Sequence, residues 1–446
     1  MHHLKTNPLR LLIVGIITTF MVSACSDDSR EETKKKLKGD RISVLSYERS
    51  LRADPRLSGV PIVLPQPYEN DTWHQPGAFA DNVAHHLMIN DETRKKFSVS
   101  FVNGSTNDLK MTATPIIAED MIFGLGADMR LTAANAHTGK KIWTIKVYLK
   151  GAEIEDGFGG GISYWGGQIF VATGFGELLA VDAKTGRINW RETSAIPFKT
   201  SPTVDDGKVF IVSHDNQLQV FSTDDGRRIW THLAIVEPAT ILSSPSPAVS
   251  GDIVVTGFSS GEVVSLRVAN GTVNWEDMLS RAGQLTPLSD LNPIVGRPVI
   301  DRDRVFAASH GGRMVSIDLR TGERVWMAEV KSIETPWVAG DNLFLVTTDA
   351  KVICMSRGQG RIRWITQLQD YEDDDNKDDP VSWSGPVLAG DRLLLASSLG
   401  DLVSLSPYTG EILSLSDVGD PVSISPIVAN KTVYVLTDKG RLIAYR

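Results

Sequence analysis

The sequence predicts an all-β protein folded as an eight-bladed β-propeller, whose last blade is closed by a strand from the amino-terminal side of the chain. Three observations predict this fold: a repeated pattern of strand and turn signals, a fixed spacing of proline and tryptophan within each repeat, and a final repeat that ends one strand short. Repeats of about forty residues with four strands each are typical of propellers.

The repeat is clearest in residues 201–230. Thr203 and Val204 lead into an Asp-Asp-Gly turn, and residues 208–213 form a β-branched and aromatic run. Residues 217–222 then alternate in polarity before a second Asp-Asp-Gly turn and a last segment that ends at Trp230. Because short strands joined by tight turns pair antiparallel with their immediate neighbours, the repeat is predicted to form an antiparallel meander.

A proline and a tryptophan recur at one constant interval along the chain, with Ile162 in place of the proline in one copy. The pairs with this interval are Pro115 with Trp143, Ile162 with Trp190, Pro202 with Trp230, Pro247 with Trp275, Pro298 with Trp326 and Pro336 with Trp364. We call these six the repeat tryptophans. A glycine stands four positions before each of them and holds the last turn. Gly410 continues this series in a copy where Ser414 replaces the tryptophan, and Pro426 opens an eighth copy.

The eighth copy predicts how the ring closes. Residues 425–446 supply only three strands before the chain ends, so the fourth strand must come from elsewhere. The strand-like segment 97–102 precedes the first repeat, and Phe97 precedes Pro115 by nearly the interval that separates Trp230 from Pro247. We therefore expect Phe97 in the tryptophan position of the last blade, which leaves residues 97–446 with about 44 residues for each of eight blades.

Residues 1–24 have the pattern of a signal peptide. Lys5 and Arg10 precede the apolar run 11–21, which is too short to span a membrane, and small residues stand before Cys25. This pattern resembles the lipobox of bacterial lipoproteins, which implies a lipidated (palmitate-bearing) Cys25 as the new first residue and, because Ser26 follows it, sorting to the outer membrane. The alternative is an uncleaved anchor helix followed by an unmodified cysteine.

Two further segments precede the propeller. Residues 25–40 are highly charged and are predicted to form a flexible tether behind the lipidated cysteine. Residues 41–96 contain a few apolar residues and a proline-rich run, and they are predicted to form an extended strap on the propeller.

Composition and side-chain patterns favour neither nucleic-acid binding nor catalysis. The formal net charge of −8 argues against nucleic acid, which demands a basic face. Cys354 is expected to be a buried apolar residue, and the adjacent His85 and His86 point opposite ways in an extended chain, which suits no shared metal. The acidic stretch 370–379 lacks the spacing of a calcium loop and is expected to be a solvated loop.

Three segments of the repeat, 133–143, 180–190 and 316–326, resemble the repeat of pyrroloquinoline-quinone (PQQ) propellers. That repeat is shared by the quinoprotein dehydrogenases and by the outer-membrane protein assembly factor BamB family. The dehydrogenases carry adjacent cysteines beside the cofactor, whereas the two cysteines here are far apart in sequence. The lipobox, the polar tether, the segments 41–45 and 73–77 and the eight copies make the chain similar to the BamB family over about residues 41–446.

The resemblance implies a non-enzymatic scaffold without cofactor or metal, in the β-barrel assembly (BAM) complex on the periplasmic face of the outer membrane. Its expected partners are the periplasmic (POTRA) domains of BamA and nascent outer-membrane proteins awaiting membrane insertion. The family's docking surface consists of two loops. By resemblance they correspond here to a segment with Ala239, Ile241 and Leu242 and to a segment with Asp290 and Asn292.

Two other functions are compatible with the sequence. One is a PQQ-dependent oxidoreductase of minimal form, which requires a polar axial pocket with carboxylates for Ca²⁺ and a basic residue over the quinone. The other is a ring that binds a different envelope protein or a polysaccharide.

Overall fold

The computed structural model describes residues 51–148, 159–236, 245–279 and 293–446, except residue 374. Within these ranges the protein is almost entirely β-structure, with one short 3₁₀ helix, Pro55–Leu57. Eight four-stranded antiparallel sheets follow one another along the chain. No helix in the described ranges has the length and apolar character needed to cross a membrane.

The first four sheets are formed by consecutive strands. Blade 1 consists of β2 (Ile116–Ala118), β3 (Met121–Leu125), β4 (Arg130–Asn135) and β5 (Lys141–Lys146). Blade 2 consists of β6 (Gly160–Trp165), β7 (Gln168–Thr173), β8 (Glu177–Asp182) and β9 (Ile188–Thr193). Blade 3 consists of β10 (Thr203–Asp205), β11 (Lys208–Val212), β12 (Gln217–Ser222) and β13 (Arg228–Leu233). Blade 4 consists of β14 (Ala248–Ser250), β15 (Ile253–Gly257), β16 (Glu262–Arg267) and β17 (Val273–Met278).

The remaining sheets include a small hairpin and the closing blade. Blade 5 consists of β18 (Val299–Asp301), β19 (Arg304–Ala308), β20 (Met314–Asp318) and β21 (Arg324–Ala328). Blade 6 consists of β22 (Trp337–Ala339), β23 (Asn342–Val346), β24 (Lys351–Ser356) and β25 (Ile362–Gln367), and a hairpin of β26 (Tyr371–Asp373) and β27 (Asp378–Pro380) follows it. Blade 7 consists of β28 (Trp383–Ala389), β29 (Arg392–Ser397), β30 (Asp401–Leu405) and β31 (Ile412–Asp417). Blade 8 consists of β32 (Ile427–Ala429), β33 (Thr432–Leu436), β34 (Arg441–Tyr445) and β1 (Lys95–Ser100).

The closing strand confirms the prediction of an eight-bladed ring. Strand β1 pairs antiparallel with β34, with Phe97 opposite Ala444 and Val99 opposite Leu442. A bulge next to Phe97 matches the bulge beside each repeat tryptophan, for example beside the pair of Trp230 and Val220. Phe97 therefore occupies the tryptophan position, and the pairing of the first and last strands of the propeller removes an open sheet edge.

The six repeat tryptophans join neighbouring blades. Each indole N–H donates to a backbone carbonyl of the following blade, at nitrogen–oxygen distances between 2.8 and 3.1 Å. Each ring also packs on the turn glycine of that blade, so closely that a Cβ atom added to Gly226 would lie 2.7 Å from the Trp190 ring. The glycine predicted from the repeat is thus required both by its positive φ of 73° and by the neighbouring indole.

The seventh and eighth blades depart from this pattern for a physical reason. Ser414 faces blade 8, whose last two strands are β34 and β1. These two strands are far apart in sequence, so no tight turn with a glycine joins them and no indole is needed to pack on such a turn. The side chain of Phe97 has no N–H group that could donate to blade 1, unlike the indole of a repeat tryptophan. Instead the hydroxyl of Tyr434, on the neighbouring strand β33, donates to the carbonyl of Ala136 at 3.1 Å.

The segment 70–87 encircles one end of the propeller. Its residues hydrogen-bond to every blade in ring order, at donor–acceptor distances between 2.6 and 3.1 Å. The contacts are Asn70 with blade 8, Trp73 with blade 1, His74 with blade 2, Gln75 with blade 3, Ala80 with blade 4, Asp81 with blade 5, His85 with blade 6 and Leu87 with blade 7. We call this segment the axial strap, because it closes one end of the central axis.

Two sequence expectations outside the repeat are refined by the structure. Cys354 is fully buried in β24, and burial raises the pKa of its thiol to about 12. The acidic stretch 370–379 is exposed, but it contains the hairpin of β26 and β27 where a solvated loop was expected. The hairpin has a register pair between Asp373 and Asp378, so cross-strand backbone pairing orders a segment whose side chains remain in water.

Candidate functional site: the inter-blade loops and the axial cavity

The connectivity gives the propeller two different faces. Every connection from the fourth strand of one blade to the first strand of the next begins and ends on one face, which we call the loop face. Turns between second and third strands, including those at His214 and His310, lie on the same face because neighbouring strands are antiparallel. The axial strap covers the opposite face, which we call the strap face.

The residues predicted to bind a partner lie outside the described residues. Ala239, Ile241 and Leu242 fall in the segment 237–244, and Asp290 and Asn292 fall in the segment 280–292. The described residues that flank both segments lie on the loop face, since each segment connects a fourth strand to a first strand. Cys25, the predicted lipid attachment site, also lies outside the described residues.

An exposed apolar patch adjoins the first of these segments. Leu233, at the end of β13, is 67% exposed, and the following Ile235 and Val236 are 52% and 65% exposed. The backbone N–H of Ile235 donates to the Glu262 carboxylate at 2.9 Å, which fixes the chain where it leaves blade 3. Three exposed apolar side chains in four residues form a small surface of the kind that proteins use for docking.

A cavity of about 510 Å³ lies on the propeller axis. Its wall comes from the residues that precede the first strands of blades 1 to 6 and 8, with His310 from a turn of blade 5. The described lining is rich in hydroxyl groups and contains four titratable side chains, Lys199, His310, Arg297 and Glu334. On the other side of Arg297 and Glu334 a second cavity of about 30 Å³ is bounded by the axial strap.

Lys199 lies in the wall with only 4% of its surface exposed. Its ammonium group donates to Asn216 Oδ1 at 2.7 Å and lies 3.5 Å from the hydroxyl of Ser259. Burial lowers the pKa of Lys199 to about 8, and the carboxylate of Asp215 offsets part of this effect. The ammonium group therefore remains charged at neutral pH.

Arg297 and Glu334 lie at the strap end of the cavity. Arg297 Nε is buried and has no hydrogen-bond partner among the described residues, and burial lowers the pKa of the guanidinium. Burial also raises the pKa of Glu334 to about 7, an effect opposed by the charge of Arg297 and by hydrogen bonds from Gly385 and Ser425. The Glu334 carboxyl group therefore exchanges its proton near neutral pH.

Sequence reasoning did not identify this site. Lys199, His310, Arg297 and Glu334 received no functional role from the sequence. A signal existed, because the residue before the repeat proline is Thr114, Ser201, Ser246, Thr335 and Ser425 in five copies but Arg297 in one. The convergence of charged side chains from blades 3, 5 and 6 at the axis appears only in the folded ring.

Three tryptophans that are not repeat tryptophans lie in first strands, at positions 165, 337 and 383. Trp337 stacks on Trp73 of the axial strap with ring centroids 6.5 Å apart, and its indole donates to the carbonyl of His85. Trp383 donates to the carbonyl of Gln369 at 2.9 Å, and Trp165 is 38% exposed at the end of β6. None of the three lines the larger axial cavity.

Comparison with known proteins decides the family. A family model described as "Outer membrane protein assembly factor BamB" matches residues 127–366 and 372–446, which is more than half of the chain. The chain belongs to the BamB family. The resemblance seen in the repeat segments is thereby confirmed.

Individual BamB proteins are distant relatives in sequence. The BamB of Yersinia pestis is 26% identical over 319 residues, which cover 70% of this chain and 79% of that protein. The BamB of Moranella endobia is 22% identical over 356 residues, which cover 77% of this chain and 88% of that protein.

Solved structures support the fold. BamB from Moraxella catarrhalis superposes with a TM-score of 0.66 at 18% identity, covering 80% of this chain and all of that one. The quinohemoprotein alcohol dehydrogenase of Comamonas testosteroni superposes with a TM-score of 0.64 at 12% identity, covering 84% of this chain and 80% of that one. At these identities both likenesses show a shared propeller fold, so the family assignment rests on the sequence match.

Proposed function

We propose that the chain is a non-enzymatic scaffold lipoprotein of the machinery that assembles β-barrels in the outer membrane. The match of the BamB family model to residues 127–366 and 372–446 carries this proposal. The relatives from Yersinia pestis and Moranella endobia are named outer membrane protein assembly factors. A closed ring whose loop face carries exposed apolar side chains suits a protein that holds partners in place.

In this proposal a lipid on Cys25 holds the ring at the periplasmic face of the outer membrane. The support is the lipobox pattern of residues 11–25 and the charged tether that follows it. Two lipid chains or more are needed for stable anchoring, and a lipoprotein cysteine supplies them by resemblance to its class.

The loop face is proposed to bind the POTRA domains of BamA. Its contact residues are Ala239, Ile241 and Leu242 in one segment and Asp290 and Asn292 in the other. The exposed apolar patch of Leu233, Ile235 and Val236 supports this assignment, because it extends the apolar character of Ile241 and Leu242 onto the described surface. The strap face is less suited to docking, since the axial strap already occupies its centre.

Strand β31 is proposed to hold nascent barrel strands by strand addition. It is the outermost strand of blade 7, and Ile412, Leu413 and Leu415 are 54%, 52% and 63% exposed. Its only charged residue is Asp417, at its end, whereas the outermost strands of the other blades carry charges along their length or at their start. Charged side chains on an edge strand protect it from pairing with other chains. Strand β31 lacks such side chains along most of its length, which favours pairing with an extended apolar segment.

The docking assignment is tested by substitution on the two faces. The double variant Ile241→Arg with Asp290→Arg is expected to lose co-purification with BamA from the envelope, because it replaces an apolar contact and reverses a charge. The control is Val63→Arg with Asp341→Arg, which makes the same two changes at exposed positions of the strap face. Intact co-purification by the loop-face variant, with folding verified by thermal unfolding, would show that the loops are wrongly assigned.

The oxidoreductase alternative draws on the likeness to quinohemoprotein alcohol dehydrogenases and on the polar axial cavity. The described lining contains one carboxyl group, Glu334, and no group of three or more metal-binding side chains occurs among the described residues. Dye-linked oxidation of alcohols after addition of the quinone and Ca²⁺ separates the two functions. The scaffold proposal predicts no turnover, and sustained turnover would replace it.

A further inference from the structure

We propose that the axial cavity binds a small organic anion through its carboxylate groups, held by Arg297 and Lys199. This inference goes beyond the scaffold function, and it rests on described lining residues that differ from those assigned to partner docking. A volume of about 510 Å³ is within the usual range of small-molecule sites, about 300 to 1,000 Å³.

The charged side chains are exceptions to the repeat that builds the wall. At the position before the repeat proline, five blades carry serine or threonine and Arg297 stands alone as a charged residue. One position earlier, Glu334 corresponds to Ala113, Thr200 and other uncharged residues. The fold itself is satisfied by small side chains at these positions, so closing the ring does not explain the charges.

Arg297 has unused hydrogen-bonding capacity. A guanidinium group has five N–H donors, and the buried Nε of Arg297 lacks any acceptor among the described residues. Glu334 acts on the Arg297 guanidinium through its charge, and no salt bridge joins the two side chains among the described residues. Since a half-buried charge without an ionic partner is unfavourable, an anion in the cavity would stabilise this arrangement.

Lys199 supplies a second cationic group from a different blade. Its ammonium group has three donors, and the described residues provide two acceptors, on Asn216 and Ser259. The remaining donor is available to a ligand in the cavity that Lys199 lines. A planar guanidinium and a separate ammonium group together suit carboxylates, which accept two hydrogen bonds from arginine.

The other polar groups complete a site for a small anion. The hydroxyl groups of Thr114, Ser201 and Ser246 line the cavity and can donate to carboxylate oxygens. Glu334 and His310 are the other titratable groups of the described lining. When Glu334 is protonated it is a donor as well, so it opposes anion binding only in its ionised form.

The closed strap end defines where the ligand can lie. The cavity of about 30 Å³ beyond Arg297 and Glu334 is too small for an organic acid and is lined by Trp73, Gly77 and Asn82 of the strap. A ligand is therefore confined to the larger cavity on the loop side of Arg297, where its carboxylate can reach the guanidinium.

The experiment measures binding of succinate, citrate and inorganic phosphate to the full chain by calorimetry at constant ionic strength. We expect succinate, citrate or both to bind with one-to-one stoichiometry. Arg297→Gln and Lys199→Met should each raise the dissociation constant by about tenfold or more. The matched control is Arg94→Gln, because the Arg94 side chain is 82% exposed and remote from the axis. Thermal unfolding establishes that each variant is folded. If Arg297→Gln does not fold, the test is made with Lys199→Met alone.

A second measurement uses protein purified from its own envelope. Mass spectrometry of the material released on denaturation is expected to show an organic acid from the unsubstituted protein and none from Arg297→Gln. The proposal is overturned if neither succinate nor citrate binds at millimolar concentration and no organic acid is released. It is equally overturned if phosphate alone binds, or if carboxylate binding survives both cavity substitutions.

Discussion

At the scale of single residues, the contact between Gly226 and Trp190 is a direct test of how blades join. Gly226→Ala adds a Cβ atom 2.7 Å from the Trp190 ring at a φ of 73°. We expect a loss of about 2 to 4 kcal/mol in the free energy of unfolding, from backbone strain and overpacking together. Denaturant unfolding measures this loss.

Gly251→Ala is the matched control for that variant. Gly251 also has a positive φ, 60°, but a Cβ atom added there meets no heavy atom within 4 Å. It should cost only about 1 to 2 kcal/mol, from strain alone. Equal losses in the two variants would mean that the indole contact contributes nothing to stability.

Glu334 gives the protein a pH-dependent stability with a defined sign. Its pKa is about 7 in the folded protein and 4.5 in a model peptide, so the folded state holds the proton more tightly. The stabilisation is complete below about pH 4.5 and is lost as the pH rises through 7. As the pH rises from 5 to 8, we expect the unfolding temperature of Glu334→Gln to increase relative to that of the unsubstituted protein.

The control for this pH series is Asp341→Asn, which makes the corresponding acid-to-amide change at a side chain that is 86% exposed. His310→Asn separates any contribution of the neighbouring imidazole, which also lines the cavity. A constant difference between Glu334→Gln and the unsubstituted protein across the series would contradict the raised pKa.

The residue scale also shows what sequence alone could predict. The tryptophans and their glycines were predictable because the same packing problem recurs in each blade and is solved by the same residues at the same spacing. The hydroxyl of Tyr434 was not, because it replaces an indole N–H from a different strand. The cavity wall with Arg297 and Glu334 was not either, because it forms only when the segments that precede several first strands converge on the axis.

At the scale of elements, strand β1 is joined to blade 1 through two residues in place of one. Phe97 supplies the ring that packs on Gly139, and Tyr434 supplies the donor for the carbonyl of Ala136. Tyr434→Phe leaves that buried carbonyl without its hydroxyl donor, and we expect a loss of about 1 to 3 kcal/mol. Denaturant unfolding of the single and double variants measures the coupling.

The informative control is Phe97→Trp in the Tyr434→Phe background. An indole at position 97 matches the other blades, so its N–H should donate to Ala136 and recover most of the lost stability. In the unsubstituted background, where Tyr434 already occupies that carbonyl, Phe97→Trp should give no gain. If Phe97→Trp changed the free energy of unfolding equally in both backgrounds, residues 97 and 434 would not be alternative donors to the carbonyl of Ala136.

The closure of blade 8 by β1 was predictable from the sequence. The reason for the serine in the tryptophan position of blade 7 was not. The final repeat lacks a fourth strand, and the candidate segment at Phe97 has the correct spacing. Ser414 was recognised as a departure, but its cause, the missing tight turn in blade 8, depends on which strands meet at the junction. The acidic hairpin 371–380 was missed because its pairing is held by the backbone and leaves no apolar alternation.

At the scale of the whole molecule, the axial strap links all eight blades. Gln75 bonds twice to the backbone of Val204, at 2.8 and 3.0 Å, and Asn70 donates to the carbonyl of Val428 at 2.6 Å. We expect Asn70→Ala with Gln75→Ala to lower the unfolding temperature of the entire ring while calorimetry still shows one transition. Each lost hydrogen bond contributes about 0.5 to 1.5 kcal/mol.

The control for the strap variant is Asn189→Ala, which removes an exposed amide contact to Gln168 far from the strap. Its unfolding temperature should stay close to that of the unsubstituted protein. A strap variant whose unfolding temperature also stays unchanged would show that the strap adds no stability to the ring.

The functional account depends on the two faces being different. The described ends of the connections that contain positions 241 and 290 lie on the loop face, and the axial strap covers the other face. A partner that binds through these connections, as proposed, should touch the loop face alone. The most direct measurement is photocrosslinking in the envelope with a photoreactive amino acid at position 241 or 290, compared with position 63 or 341. The account predicts adducts with BamA from positions 241 and 290 and none from 63 and 341, and the reverse pattern, or no adduct from the loop positions, would contradict it.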